Sequence, residues 1–371
     1  MNAFVHTFLG EKNKTDCIHI QNGGKEWIIP RNASEIGMEI YQATSFGGKL
    51  LKDVVMLGLH GIGYKDKKIT IIECGLNEEL DRIIRSCFNL DKYYFSCYVG
   101  DQSILENQKL VIQIFDEERI LGYIKATNNS KVFQLFQNET DVLKSVNFAN
   151  ANVPKCLGLG CIRQEIYYYV QSTEKDVDSH VVTRYTRIHH NLLKEWKENY
   201  QIRMLFENTS LGKNYQYLHE VLKLDNISLV RGLETCKQLL SDGQVCCSFS
   251  HGDFTPWNMF FNSSELFVFD FEYSTFNRIQ YYDYIHFNFQ VELLHKGIKR
   301  SRILSFYSDF VSESVILWKC SKRDFECSVL FYIYDQFAFQ YKRRNSLFDH
   351  NDVGYIFWAE LAGLILNSLL Q

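Results

Sequence analysis

Proline is almost missing from this chain: Pro30, Pro154 and Pro256 are the only three in 371 residues. No Ser/Gly-rich linker and no internal repeat occurs either, so domain boundaries must be read from changes of pattern. The 11 cysteines form no CxxC pair. They are odd in number and scattered from Cys17 to Cys327, with only Cys246 and Cys247 adjacent. That spacing argues against a disulfide framework or a zinc site and suits free thiols in a reducing compartment. Neither sign of charge dominates: 40 Lys plus Arg stand against 44 Asp plus Glu, a net charge of -4. Without a bulk positive field to hold a phosphate backbone, a nucleic-acid partner is disfavoured. Long apolar runs are lacking as well. None approaches the ~18 residues of a membrane span, and the start, MNAFVHTFLGEKNKTDC, has neither the charged lead nor the apolar stretch of a signal peptide. A cytoplasmic protein with no membrane span is expected. What remains is the composition of a folded chain, 46% hydrophobic and 23% charged, long enough for two or three lobes.

Residues 1–90 mix an apparent strand, KEWIIP, a helical reading of ASEIGMEIYQ, a GGK turn at Gly47, a second strand, KITIIE, and a charged helix, NEELDRIIRSCF. They read as an α+β extension. Gly58 to Lys65, GLHGIGYK, misses the GxxxxGK[ST] spacing of a phosphate loop and has no hydroxyl after its Lys, so it reads as a connecting loop. Residues 91–173 turn β-rich. YYFSCYVG, LVIQIFD and ILGYIKAT are short aromatic and β-branched runs between polar turns, predicting a small antiparallel sheet. A helix follows from about Val132 to Val146, then two extended segments, VPKCLGLG and QEIYYYV. Residues 174–371 are dominated by helical periodicity, in NLLKEWKENY, SLVRGLETCKQLL and segments near 281–297, 323–343 and 354–370. The last is very apolar, yet Glu360 and Asn367 interrupt it, so it reads as a packed helix.

One short stretch differs in character. In SHGDFTPWNMFFNSSELFVFDFEYS, residues 250–274, polar residues are gathered between apolar runs. The pattern predicts a loop and hairpin that carries Asp253, Asn258 and Asp270 toward one point. Two carboxylates and an amide are hard oxygen donors that suit Mg²⁺, which takes few protein ligands alongside substrate phosphates. The strings H-G-D-F-T-P-W-N and D-F-E parallel the catalytic loop and metal-binding strand end of kinases. A kinase also needs a Lys on a strand and a Glu on the next helix. In LGYIKAT, alternation puts Lys125 in line with Leu121 and Tyr123. On the helix, Val132, Leu135, Phe136, Val142, Leu143 and Val146 form an apolar stripe whose i+7 position is Glu139. A buried unpaired carboxylate is costly, so Glu139 requires a cation opposite, with Lys125 the evident partner; the alternative is a solvated Glu on the helix surface.

The HGDFTPWN and DFE strings resemble the aminoglycoside phosphotransferase and choline kinase group, kinases of small molecules that have Gly after the His where protein kinases have Arg. The resemblance covers roughly residues 90–371. It implies an α+β, two-lobed protein-kinase-like fold, with a small antiparallel sheet lobe over 91–173 and a mostly helical lobe over 174–371. It also implies transfer of the γ-phosphoryl of ATP or GTP to a hydroxyl of a sugar, amino alcohol or aminoglycoside, with Mg²⁺. By that resemblance Asp253 is the base, His251 braces the loop, and Asn258 and Asp270 hold the metal. Lys125 contacts the phosphates and Glu139 positions it. Backbone N–H groups from Gly100 to Ser103 stand in for a glycine-rich loop of which only Gly100 remains. Asp283, thirteen residues past Asp270, reads either as a support for the catalytic loop or as an acidic helix start. Asp335 and Tyr334 fall where family substrates bind, although aromatic residues at helical spacing also make core. A pseudokinase would keep the fold and lose the Lys, the catalytic Asp or the metal Asp, all present here. A protein kinase would need HRD, DFG and APE strings, of which only fragments occur.

Overall fold

The computed structural model describes residues 3–22, 24–41, 68–100, 108–176, 178–241, 243–344 and 347–370. The GLHGIGYK run, the turn at Gly47 and the N–H groups of residues 101–103 lie outside them. The chain forms two compact units. One comprises Met1–Phe148, Asn152–His180 and Phe261–Glu272; the other comprises Ala149–Ala151, Val181–Phe260 and Tyr273–Gln371.

The first unit is built on an antiparallel sheet of eight strands: β1 Leu9–Asn22, β2 Lys25–Pro30, β3 Lys68–Leu76, β4 Tyr94–Val99, β5 Leu110–Phe115, β6 Ile120–Thr127, β7 Cys156–Ile162 and β8 Ile166–Ser172. Their order is β3-β1-β2-β4-β5-β6-β8-β7. Strands β2 and β4 pair directly, Ile28 opposite Cys97. The cut expected at residue 90 therefore falls inside one sheet, and the first 90 residues extend the strands of 91–173. Residues 34–41 depart from the helical reading: a single turn at Ser34–Gly37 sits between two 3₁₀ turns. Two longer helices cover the sheet. Helix α1, Glu78–Phe88, starts where the Asn77 side chain accepts from the Leu80 N–H, with Glu78, Glu79 and Asp81 at its positive end. It buries Leu80 and Ile84 in a core with Phe8, Phe95, Ile112 and Ile124. Helix α2, Ser130–Ser145, is capped by Asn129 and packs Val132 and Phe136 on Tyr169 of β8.

The second unit holds helices α3 Arg187–Asn199, α4 Ser210–Asp225, α5 Ile227–Ser241, α6 Tyr282–Gln290, α7 Ile303–Trp318, α8 Lys322–Arg344 and α9 Val353–Leu369. A three-stranded sheet joins them, from β9 Ile202–Met204, β10 Val245–Ser250 and β13 Thr275–Ile279, with β10 central. The hairpin of β11 Met259–Asn262 and β12 Glu265–Val268 carries the chain from one unit to the other. In α8 every residue from Ser328 to Ala338 is buried. A helix with no solvent face over three turns belongs at the centre of its unit. Its polar side chains therefore find partners within the core. The Ser328 hydroxyl donates to the Asp324 carbonyl at 3.0 Å, Glu326 accepts from Tyr307 at 2.8 Å, and Asp335 accepts from Tyr282 at 3.0 Å. Among the described residues no helix is long and apolar enough to cross a membrane.

One buried histidine should make this unit acid-sensitive. His189 Nδ1 accepts from the Thr186 N–H at 3.0 Å, closing a capping box at the start of α3. Burial pushes its pKa down to about 4. The unfolded chain takes up this proton near pH 6.5 and the folded one only near 4, so its stabilising contribution is complete above pH 6.5 and is lost as pH falls toward 4. The loss amounts to about 3 kcal/mol. His189→Gln keeps an acceptor for the cap and removes the titration. Urea unfolding from pH 7.5 to 4.5 should show a shallower decline in that variant than in the wild type; equal slopes would exclude His189 as the source.

Candidate active site

In the first unit, alternation along β6 and the stripe on α2 bring Lys125 and Glu139 together. Lys125 Nζ lies 2.7 Å from Glu139 Oε2 and 2.5 Å from Asp270 Oδ1. The Lys125 side chain is 7% exposed and that of Glu139 is 0% exposed, so Glu139 is not the solvated surface residue of the alternative reading. Its other oxygen accepts from the Phe271 N–H at 3.2 Å, and Asn138 donates to the Glu272 carbonyl at 3.1 Å. Helix α2 thus fixes the segment just after Asp270 through two successive residues. Asp270 itself has φ 70°, in the left-handed region where Asp and Asn are among the best tolerated non-glycine residues.

A second lysine joins the cluster. Lys109, next to the start of β5, places Nζ 2.6 Å from Glu272 Oε2 and 3.7 Å from Asp270 Oδ1. Two lysines therefore face three carboxylates, Glu139, Asp270 and Glu272. Burial pushes the Lys125 pKa down, but Asp270 and Glu139 outweigh it and the net direction is up. Burial pushes Glu139 up to about 6 despite Lys125. The two rises have different causes: burial and then the neighbouring Asp270 charge act on Glu139, and the two carboxylates act on Lys125.

In the second unit, the loop after β10 is held from α6. Asp283 accepts from the Ser250 hydroxyl at 2.9 Å, the His251 N–H at 2.7 Å and the Gly252 N–H at 2.9 Å. Both readings of Asp283 hold: it lies in the first turn of α6 and its carboxylate supports the loop. Gly252 has φ 86°, and a Cβ there would lie 2.1 Å from an Arg278 guanidinium nitrogen, so both backbone and space require glycine. His251 is fully buried and its Nδ1 accepts from the Asp253 N–H at 3.3 Å. Asn258 Nδ2 donates to the Asp253 carbonyl at 2.9 Å and to Asp253 Oδ2 at 2.8 Å. Asp253 Oδ1 meets His286 Nε2 at 3.0 Å, and His286 Nδ1 meets the Tyr332 hydroxyl at 3.1 Å.

The expected site residues are thus divided: Lys125, Glu139, Asp270 and Gly100 belong to the first unit, and His251, Asp253 and Asn258 to the second. Gly100 follows β4, where an added Cβ would meet the Tyr98 hydroxyl at 3.6 Å, ordinary van der Waals contact. Asp335 accepts from Arg278 and Tyr282, and Tyr334 donates to the Leu229 carbonyl, so both are core members of α8. Three residues escape the sequence reading. Lys109 precedes an ordinary apolar strand, and Glu272 stands in the DFE string with no role attached to it. His286 follows Asp283 by three positions, the helical spacing that shares a face, and that spacing is the available signal.

Each unit carries hard oxygen donors of the class that magnesium takes. Within the second unit, Asn258, with its amide nitrogen on Asp253, keeps Oδ1 as a hard oxygen donor; within the first, Asp270 carries a carboxylate of the same donor class. Among the described residues no group of three His, Cys, Asp or Glu side chains could hold a metal alone.

No protein-family model and no curated protein sequence matches the chain. Solved structures do resemble it. A wild-type aminoglycoside 2'-phosphotransferase in complex with GDP is 12% identical, with 78% of this chain and 98% of that chain covered and a TM-score of 0.49. A thermostable aminoglycoside phosphotransferase in ternary complex with AMP-PNP and hygromycin B is 12% identical over 79% and 99%, with a TM-score of 0.48. Similarities at this level assign no residue, substrate or activity to this chain.

Proposed function

We propose that this protein is a small-molecule kinase that transfers the γ-phosphoryl group of ATP or GTP to a hydroxyl. The observation that carries the reading is the buried Lys125–Glu139 pair closed on Asp270. Its members come from a strand, the following helix and the distant DFE string, the parts that phosphoryl transfer requires. Lys109, paired with Glu272 and near Asp270, adds a second cation that a triphosphate can use.

In this reading Lys125 and Lys109 exchange carboxylates for phosphate oxygens as the nucleotide enters, and Glu139 keeps Lys125 aimed. The Gly100 N–H meets the phosphates from the end of β4. Asn258 and Asp270 hold Mg²⁺, which when bound neutralises charge on the phosphate oxygens. Asp253 orients the acceptor hydroxyl and takes its proton, while His251 and Asp283 keep the loop in shape. Catalysis is then mainly positioning and charge neutralisation.

A nucleotide-consumption screen tests this reading. Purified protein is offered ATP or GTP with sugars, amino alcohols and aminoglycosides, with and without Mg²⁺. Acceptor-dependent, magnesium-dependent release of the nucleoside diphosphate is expected for at least one class. Mg·nucleotide binding with no turnover for any acceptor would favour a nucleotide-binding pseudokinase.

A further inference from the structure

Asp253 has a partner that the phosphotransfer parts do not require. His286 stands on α6, one turn beyond Asp283, with its Nε2 at 3.0 Å from Asp253 Oδ1. The imidazole is almost inaccessible, 6% exposed, whereas the Asp253 side chain is 36% exposed. A buried ring thus holds one oxygen of a carboxylate that opens to solvent. The far ring nitrogen, Nδ1, meets the Tyr332 hydroxyl at 3.1 Å, from the buried core of α8. Burial pushes the Tyr332 phenol up, so it remains a protonated donor.

A carboxylate only accepts, so Nε2 carries the hydrogen that faces Asp253, and the hydrogen bond between Nδ1 and the Tyr332 hydroxyl anchors the far side of the ring. Asp253 Oδ2 is held separately by Asn258 at 2.8 Å. Each oxygen therefore has its own donor, and the two together fix the rotation of the carboxylate, the condition for a group that must meet a hydroxyl at one angle.

The geometry assigns His286 as the positioning residue of Asp253, with Tyr332 as its anchor. This rests on the reading of Asp253 as the base. His286 acts through Asp253 alone, by fixing the rotation of the carboxylate. Helix α6 thereby governs the whole loop: Asp283 holds its backbone and His286 holds its reactive side chain.

The test compares magnesium-dependent ATP turnover, with or without acceptor, in the wild type, His286→Leu, His286→Gln, Asp253→Asn and the double variant His286→Leu/Asp253→Asn. Leu removes the donor, and kcat should fall about 30-fold with the KM for ATP changed less than about 3-fold. Gln restores an N–H at the position of Nε2 and should recover most of that loss. Because His286 acts through Asp253, the double variant should be no slower than Asp253→Asn. Calorimetric Mg·ATP binding by each variant identifies any that fails to fold. Wild-type kcat in the folded Leu variant, no recovery with Gln, or a double variant slower by the full Leu factor overturns the assignment and leaves the function reading intact. No turnover by the wild type overturns that reading and this assignment with it.

Discussion

Lys125→Met should lose both activity and stability. The methionine keeps much of the apolar stem of the lysine and removes its charge, leaving Glu139, 0% exposed, beside Asp270 with no cation at 2.7 Å. Breaking a buried pair in this way costs on the order of 3 kcal/mol. The cost should depend on pH. Burial already pushes Glu139 up to about 6, and without Lys125 its pKa rises further, so at pH 5 the carboxyl takes a proton and the orphaned charge disappears. The difference in melting temperature between wild type and Lys125→Met should therefore be smaller at pH 5 than at pH 8. Glu139→Gln should soften the effect, because the double variant has no buried carboxylate at 139 to strand, and the cycle should be non-additive by about 1 kcal/mol or more. Turnover should fall at least about 100-fold in Lys125→Met. Additive, small losses with activity intact would mean that the pair is dispensable, which would remove the main support for the kinase reading.

Local chemistry was legible where a residue's role depends on near neighbours in sequence. The α2 stripe predicts a cation opposite Glu139 because an apolar face with one carboxylate is costly, and the helix at Ser130–Ser145 carries that face. The loop motif likewise reads directly, since Gly252 is needed by its own backbone angle. Roles that depend on distant partners were not legible. Lys109 and Glu272 are 163 positions apart, and nothing around Lys109 distinguishes it from a strand-end lysine on the surface.

The N-terminal 90 residues show a different limit. Strand β1 runs for 14 residues, but none of its first eight, LGEKNKTD, is buried, and only Cys17–Ile20 is continuously so. Charges in that stretch pair along and across strands, Lys14 with Glu11 and Glu73, so no apolar alternation marks it. The pattern change near residue 90 is a change in side chains, not in the hydrogen bonding that joins β2 to β4. Composition located a boundary where the sheet has none.

The two carboxylates of the motif should fail differently when neutralised. Asp253→Asn keeps the size of the side chain but cannot accept a proton, so kcat should fall about 1,000-fold while Mg·nucleotide affinity stays within a few-fold. For Asp270, Asn is again the informative substitution, because φ 70° suits Asn and would add strain with Ala. Asp270→Asn removes a hard anionic donor from the metal and a charged partner from Lys125 at 2.5 Å. Its signature should be loss of the magnesium-dependent part of nucleotide binding, with the metal-free part retained through the two lysines. Calorimetry with and without Mg²⁺ separates the two cases. Unchanged Mg·ATP binding in Asp270→Asn would exclude it as a metal ligand. Full turnover in Asp253→Asn would require a base from outside the loop, since Asp253 is the one carboxylate between Ser250 and Asn258.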